Sequence, residues 1–387
     1  MRVGINAWFL HQDTTGSGQY LRALLAEFVA SSHAYTLLTS PAQPGDAPPL
    51  DLPPSRFHQV ALDSPFDPSS PNLTKLWFEQ VAVPRAARRL SLDLLHVPYW
   101  GSPLRPTVPT VVTVHDIIPL LLPAYRGGPL VRAYTRLVAL AARRCDRVLT
   151  DSFASQRDIV RRLGIRQERV QAVHLAPDSR FRAAVDAAAL AAVRRKHGLP
   201  ERYLLYLGGF DRRKNVPVIL QAFARLLAQH DAARLVVAGR LPGKDSAFFP
   251  DPRRFVRELN LGQAVHLTGW LPDEDKPALY TGALALVFPS RYEGFGLPPL
   301  EAMACGTPVI ASTAASLPEV VGEGGLLVPP DDVDALAQAM ARLWQDGSLR
   351  QVLGRRAWAH AAQFCWAKAA RETLAAYDMV VACKTPC

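Results

Sequence analysis

The chain has 387 residues, is 49% hydrophobic and carries a net charge of +10. That length suits two domains with sizeable cores, and no apolar run reaches the roughly 18 residues that a membrane-spanning helix needs. Cys145, Cys305, Cys365, Cys383 and Cys387 are odd in number and lack zinc or redox spacing, and the N-terminus enters a strand with no leader sequence, so a reduced cytoplasmic protein is expected.

Val3–Ala7 reads as the first strand. Gly16-Ser-Gly-Gln-Tyr20 follows as a Gly-rich turn, opening an apolar-periodic helix over Leu21–Val29. Gly16 and Gly18 would let backbone approach a phosphate or a sugar. The pattern is not Gly-x-Gly-x-x-Gly, and no ribose-binding acid follows on a second strand, which disfavours a dinucleotide dehydrogenase. Tyr35–Thr39, Phe57–Leu62 and Leu94–Val97 read as further strands. The Pro-rich stretches Pro41–Pro54 and Ser64–Pro71 read as mobile loops bordering an acceptor. Asn72–Leu90 reads as a helix with a basic end, broken or kinked at Pro84.

Thr110–Pro119 contains a buried strand ending in His115-Asp116. A histidine at a strand's carboxyl end faces the ligand crevice of a parallel sheet; the competing reading is an ordinary core or loop histidine. Asp116 is expected to orient the loop. Leu130–Arg144 reads as a basic amphipathic helix, and Arg147–Thr150 and Val170–His174 as short strands around a helix at Ser155–Leu163. Ala176–Arg202 changes character and reads as the linker plus the approach to the second domain. The pattern then restarts, with strands at Tyr203–Gly208, Arg234–Ala238, Val265–Gly269, Ala285–Pro289, Val309–Ala311 and Leu326–Val328, separated by helices. Two successive βα series imply an α/β protein with two doubly wound, Rossmann-like domains.

Charge is uneven. Lys75–Arg182 holds 18 Lys and Arg against 8 Asp and Glu, and Arg85, Arg88, Arg89, Arg143, Arg144, Arg161 and Arg162 mark it. Such a stretch suits an anionic membrane face or a lipid-diphosphate acceptor; solvated Arg-rich helix faces are the alternative. No aromatic-interleaved basic motif supports nucleic acid.

Two stretches in the second series carry the chemistry. In Leu207-Gly-Gly-Phe-Asp-Arg-Arg-Lys-Asn-Val216, Gly208 and Gly209 permit close backbone approach, and Arg212, Arg213 and Lys214 place cations before a helix, where the macrodipole prefers acids. That local conflict points to a bound anion. In Arg291-Tyr-Glu-Gly-Phe-Gly-Leu-Pro-Pro-Leu-Glu301, a glycine-bearing loop feeds a helix N-terminus at a strand's carboxyl end. Pro298 and Pro299 fit a first helical turn. Glu293 falls in the loop and Glu301 in the first turn of the helix, within reach of a sugar's hydroxyls and a ribose diol. The macrodipole alone would also favour Glu301 there.

The Glu-x7-Glu spacing, with Phe-Gly-Leu-Pro between and Glu-Ala-Met-Ala-Cys-Gly-Thr-Pro-Val after, resembles the signature of the family-4 retaining glycosyltransferases of GT-B fold. The likeness continues through Ser316-Leu-Pro-Glu319 and Gly324–Pro330, and back to Tyr206–Asn215, where it is nearest to bacterial mannosyltransferase-like members using GDP-mannose. The resemblance implies two Rossmann-like domains facing across a cleft. These are an acceptor-side domain over residues 1–180, with a crossover helix about 365–387, and a nucleotide-sugar-binding domain over 181–364. It implies transfer of a sugar from a nucleoside diphosphate sugar to a glycan or polyprenyl-diphosphate-linked acceptor, without metal or cofactor. On the matching positions, Glu293 and the N–H groups of Phe295, Gly296 and Leu297 would hold the sugar, and Glu301 the ribose. Lys214, with Arg213 or Arg212, would hold the diphosphate, and His115 would act near the donor sugar. Gly16, Gly18 and Gly209 would lie against the donor; Gly209 stands where the family usually has an arginine. A nucleotide-sugar epimerase and a non-catalytic sugar-nucleotide sensor are the alternatives.

Overall fold

The computed structural model describes every residue except 13, 42–49, 67–69, 183 and 384–387, so the two Pro-rich loops and Cys387 fall partly or wholly outside the described residues. The chain divides into two units, Met1–Leu175 with the segment from Trp366 onward, and Ala176–Cys365.

The first unit is built on seven parallel strands: β1 (Arg2–Asn6), β2 (Ala34–Thr39), β3 (Phe57–Ala61), β4 (Leu94–Val97), β5 (Thr110–Thr113), β6 (Arg147–Thr150) and β7 (Val170–Ala172). Their order is β3-β2-β1-β4-β5-β6-β7. The second unit holds β8 (Leu204–Leu207), β9 (Leu235–Ala238), β10 (Val265–Gly269), β11 (Ala285–Phe288), β12 (Val309–Ser312) and β13 (Gly325–Val328), in the order β10-β9-β8-β11-β12-β13. The inner strands β4, β5, β8, β9, β11 and β12 are buried at every position. This is why they read as continuous apolar runs rather than alternating ones: helices cover both faces of a parallel sheet. In each unit the chain winds outward and then returns to the middle, so the order reverses between β1 and β4 and between β8 and β11. Those reversals are where an open α/β sheet leaves a crevice at its carboxyl edge.

Three sequence expectations change. Gly16–Tyr20 is not a loop: the helix starts at Gly16 and runs to Phe28, with Thr15 as its N-cap. Ala176–Arg202 is not a bare linker, because it contains the helix Ala187–His197. Lys196 and His197 at the end of that helix both reach Asp275, at 2.7 Å. The helix expected to kink at Pro84 instead widens before it. Pro71–Trp77 and Val83–Arg89 are joined by a π-turn over Phe78–Ala82, in which the Val83 N–H donates five residues back to Phe78 O. The Pro84 ring would crowd the carbonyl four residues earlier, and proline offers no N–H, so the helix relieves the conflict with one wide turn.

Candidate active site

In the second unit the reversal brings two loops together. β8 ends at Leu207, just before Gly208, and the chain makes a single 3₁₀ turn over Arg212–Lys214 before the helix Val216–Gln229. Asn215 joins them in the left-handed conformation, φ 63°. Its buried amide donates to the Pro289 carbonyl at 3.2 Å, to Asp331 Oδ1 at 3.3 Å and to the Pro330 carbonyl at 2.5 Å. One side chain therefore ties the β8 loop to those after β11 and β13. The Arg291 N–H donates to the Arg213 carbonyl at 2.8 Å, and Arg213 Nη1 returns a bond to the Tyr292 carbonyl at 3.0 Å.

Glu293 sits at the centre of this arrangement. Its Oε2 accepts from Arg213 Nη1 at 2.5 Å and its Oε1 from Lys214 Nζ at 2.8 Å, in buried surroundings. Burial works against the charged carboxylate, but Lys214 and Arg213 outweigh it and hold the Glu293 pKa below its ordinary 4.5. The cations crowded before a helix are thus answered from within the chain: two of the three meet Glu293, and Arg213 Nε also lies 3.3 Å from Asp211 Oδ1. Arg212 is exposed and instead lines a pocket of about 550 Å³ with Arg254 and Arg291. Gly209 is exposed, with nothing nearer its absent Cβ than Asp211 Oδ2 at 3.7 Å, so the backbone does not demand glycine there.

The β11 loop enters the helix Leu297–Ala304 through Gly296, at φ 123°, a conformation that excludes a side chain. Ser316 Oγ donates to the Glu293 carbonyl at 3.0 Å and also to the Phe295 carbonyl, fixing the loop from below. Pro298 and Pro299 occupy the first turn as expected, and they remove two of the free N–H groups a helix start normally offers. The helix begins four residues earlier than Glu301, so that glutamate lies in the second turn, not the first, and the macrodipole no longer explains it. Glu301 Oε2 accepts from the buried Tyr280 hydroxyl at 2.8 Å. Burial pushes the Glu301 carboxyl above its usual range, against the pull of Lys276 and the Tyr280 bond.

His115 lies in the first unit, two residues past β5. Its Nδ1 meets both oxygens of Asp151, at 3.0 and 2.9 Å. The strand register explains the pairing: Thr113 pairs with Leu149, so two residues on His115 falls beside Asp151. Burial disfavours the imidazolium, but Asp151 prevails, with Asp116 and the Pro98 carbonyl assisting, and the pKa is raised from 6.5. Tyr20 packs edge-on to the imidazole, with ring centroids 4.9 Å apart. Asp116 accepts from the Ile118 N–H at 3.0 Å and shapes the loop. Gly18 is required for packing rather than left free for a ligand: a Cβ there would lie 2.0 Å from the Gln12 carbonyl, and its N–H already donates to Thr15 Oγ1 at 3.1 Å. Gly16 has open space around it.

Asp151, Asn215, Tyr280 and Ser316 are the functional neighbours that motif reading did not assign. Asp151 was legible from strand register alone; the other three act through contacts of 21 or more residues in sequence separation, which no local pattern carries. Among the described residues no group of three or more His, Cys, Asp or Glu is placed to hold a metal ion. None of the helices searched is long and apolar enough to cross a membrane.

Comparison with known proteins places this geometry in a family. Residues 191–360 match the model "Glycosyl transferases group 1", and residues 14–180 match "Glycosyltransferase Family 4". The O-antigen chain mannosyltransferase B of Escherichia coli is 35% identical over 272 residues, covering 70% of each chain. Among solved structures, the sucrose-phosphate synthase of Thermosynechococcus elongatus superposes with a TM-score of 0.76 at 25% identity, covering 99% of this chain and 100% of that one. HepE of Anabaena, solved in complex with UDP, has a TM-score of 0.72 at 18% identity, over 98% and 99% of the two chains.

Proposed function

The chain belongs to the group 1, family 4 glycosyltransferases of GT-B fold, and we propose that it moves a sugar, with retention, from a nucleoside diphosphate sugar to a hydroxyl of a glycan. The observation that carries the donor reading is the Lys214–Glu293–Arg213 cluster at the sheet reversal of the second unit. A diphosphate entering there meets two cations held by backbone and side-chain ties. It takes Glu293's place on them and frees that carboxylate for the sugar's hydroxyls, while the N–H groups at Phe295–Leu297 face the same loop. Lys214 and Arg213 then stabilise the charge that develops on the leaving diphosphate, with no metal needed for that task. Glu301 takes the ribose diol. His115, kept basic by Asp151, serves the reacting sugar through its second nitrogen. Mannose is the favoured sugar, on the likeness to the O-antigen mannosyltransferase, with GDP as the favoured carrier.

A thermal-shift screen of nucleoside diphosphates and their sugars tests the donor reading. A ligand that binds the folded state alone raises stability by RT ln(1 + [L]/Kd), so GDP and GDP-mannose should raise the melting temperature. Silence from every nucleoside diphosphate would sink the reading.

The acceptor we propose is a lipid-diphosphate-linked glycan, reached at an anionic cytoplasmic membrane face. Arg85, Arg88 and Arg89 support this, standing exposed one helical turn apart in the first unit. Each such residue near an anionic surface contributes roughly 1 kcal/mol, screened by salt. Sedimentation with anionic vesicles should be strong at low salt, fade as salt rises, and weaken when the three arginines are neutralised together. Equal sedimentation with neutral vesicles would leave a soluble acceptor.

A further inference from the structure

The reversal of the first unit's sheet, between β1 and β4, carries a second built cluster that the donor chemistry does not use. It centres on Lys75 and Glu79, one turn apart on the helix that the π-turn interrupts. The wide turn swings Glu79 fully into the interior. There both carboxylate oxygens accept from the Tyr134 hydroxyl at 2.9 Å. Gly101, in the loop after β4, lies so close that a Cβ would come within 2.5 Å of Glu79 Oε1. Gln80 grips the same loop, donating to the Ser102 carbonyl at 3.1 Å and accepting from the Leu104 N–H at 2.8 Å.

The Lys75 ammonium lies 5.3 Å from the ring centroids of Phe9, Tyr99 and Tyr134 alike. Phe9 follows β1 and Tyr99 follows β4, so the ammonium is boxed at the two strand ends that flank the reversal. Its polar contacts are long: 3.5 Å to Glu79 Oε1 and 3.4 Å to Tyr134 Oη. A charge-assisted bond made for stability closes to about 2.7–2.9 Å. Tyr134 already donates to both Glu79 oxygens, so that acid does not depend on Lys75 alone; burial raises the Glu79 pKa, with Lys75 the main pull the other way. Three π faces attract a cation without consuming its hydrogens. The result is an ammonium fixed in place, 27% exposed, with donor capacity left over at the mouth of a sheet crevice.

A transferase needs a second substrate, and the cation pair of the other unit answers to a diphosphate. We infer that Lys75 is the acceptor-recognition residue, donating hydrogen bonds to hydroxyl oxygens of the acceptor's sugar, with Glu79 and Tyr134 as positioning residues beneath it. This rests on the glycosyl-transfer reading above. The box already holds a lysine, so it is closed to a cationic ligand, and the group it recognises is an electron-rich oxygen.

The test is a split of kinetic constants with the acceptor glycan that the wild type glycosylates. Lys75→Met should raise acceptor KM at least tenfold, while leaving the thermal shift by nucleoside diphosphate and the slow hydrolysis of donor without acceptor unchanged. Lys75→Arg should recover part of the loss. Tyr134→Phe, which touches no ligand, should move acceptor KM by a smaller factor in the same direction. An acceptor KM within twofold of wild type in Lys75→Met, with donor response intact, overturns the inference. Absence of any donor response in the wild type overturns instead the reading on which it rests.

Discussion

Asp151 holds the Nδ1 side of the His115 ring. With both carboxylate oxygens within 3.0 Å of Nδ1, the Nδ1–H is committed to the aspartate and Nε2 is the atom left for a substrate. Asp151→Asn should therefore move the His115 limb of the pH profile of kcat/KM to lower pH and reduce kcat, with the melting temperature little changed near neutrality. The stability sign follows from the raised pKa. The contribution of the pair is fully present below the unfolded value of 6.5 and is lost as pH rises through the higher folded value. The wild type minus Asp151→Asn difference in unfolding free energy should shrink across that window. A pH profile identical in the two proteins would remove His115 from the chemistry.

Lys214→Ala should lower kcat more than it raises donor KM, because the leaving diphosphate gains charge as the bond breaks and a cation there favours the transition state. A change in kcat under about threefold, less than ~1 kcal/mol of barrier, would reduce Lys214 to a structural partner of Glu293. EDTA should leave wild-type turnover intact; activity lost to EDTA and restored by Mg²⁺ would contradict a reaction without metal.

Glu293→Gln removes the carboxylate that the partly buried Arg213 and Lys214 share, leaving Asp211 beside Arg213. Removing one partner of such a cluster costs up to about 3 kcal/mol, so the unliganded variant should melt below wild type. The Glu293 pKa is depressed below 4.5, so the wild-type pair contributes stability above 4.5 and loses it as pH falls through the folded value. The variant should lack that acid-side decline. Addition of nucleoside diphosphate should recover more melting temperature in the variant than in wild type, because the ligand's phosphates then meet cations that have lost Glu293. Equal recovery in calorimetry would separate the cluster from the diphosphate.

Glu301→Gln should weaken donor binding by on the order of 1.5–3 kcal/mol, since a carboxylate accepts from both ribose hydroxyls and an amide offers one oxygen. Tyr280→Phe should cost less, because it removes a neighbour of Glu301 and not the ribose partner. Unchanged donor Kd in titration calorimetry would end the ribose assignment.

The parts of this fold that were legible in sequence are those with a local cause. β4 and β10 begin and end where apolar runs and turn residues put them, whereas the Glu-x7-Glu loop stands out by its resemblance to a family signature more than by spacing. The errors have local causes too. Gly16 and Gly18 read as a loop because glycine weakens a helix, yet the Thr15 cap starts the helix at Gly16, and the tight approach of the Gln12 carbonyl makes glycine the residue that fits at position 18. Pro298 and Pro299 mark the first turn correctly, but the helix starts at Leu297, which carries Glu301 into the second turn. What the sequence could not announce was that Arg213 and Lys214 already had an anion, 80 and 79 residues away. The cations were read as waiting for a ligand when their resting partner was Glu293.

That resting partner changes the character of donor capture. A fixed internal counter-ion already sits on the cations. On the donor reading proposed above, a diphosphate would enter by exchange with that tethered carboxylate, not by stripping mobile salt. Binding of this kind depends only weakly on ionic strength, so donor affinity should hold steady across salt concentrations that would disperse any electrostatic attachment at the exposed arginines of the first unit. The molecule would then let go of a charged surface while keeping its sugar nucleotide.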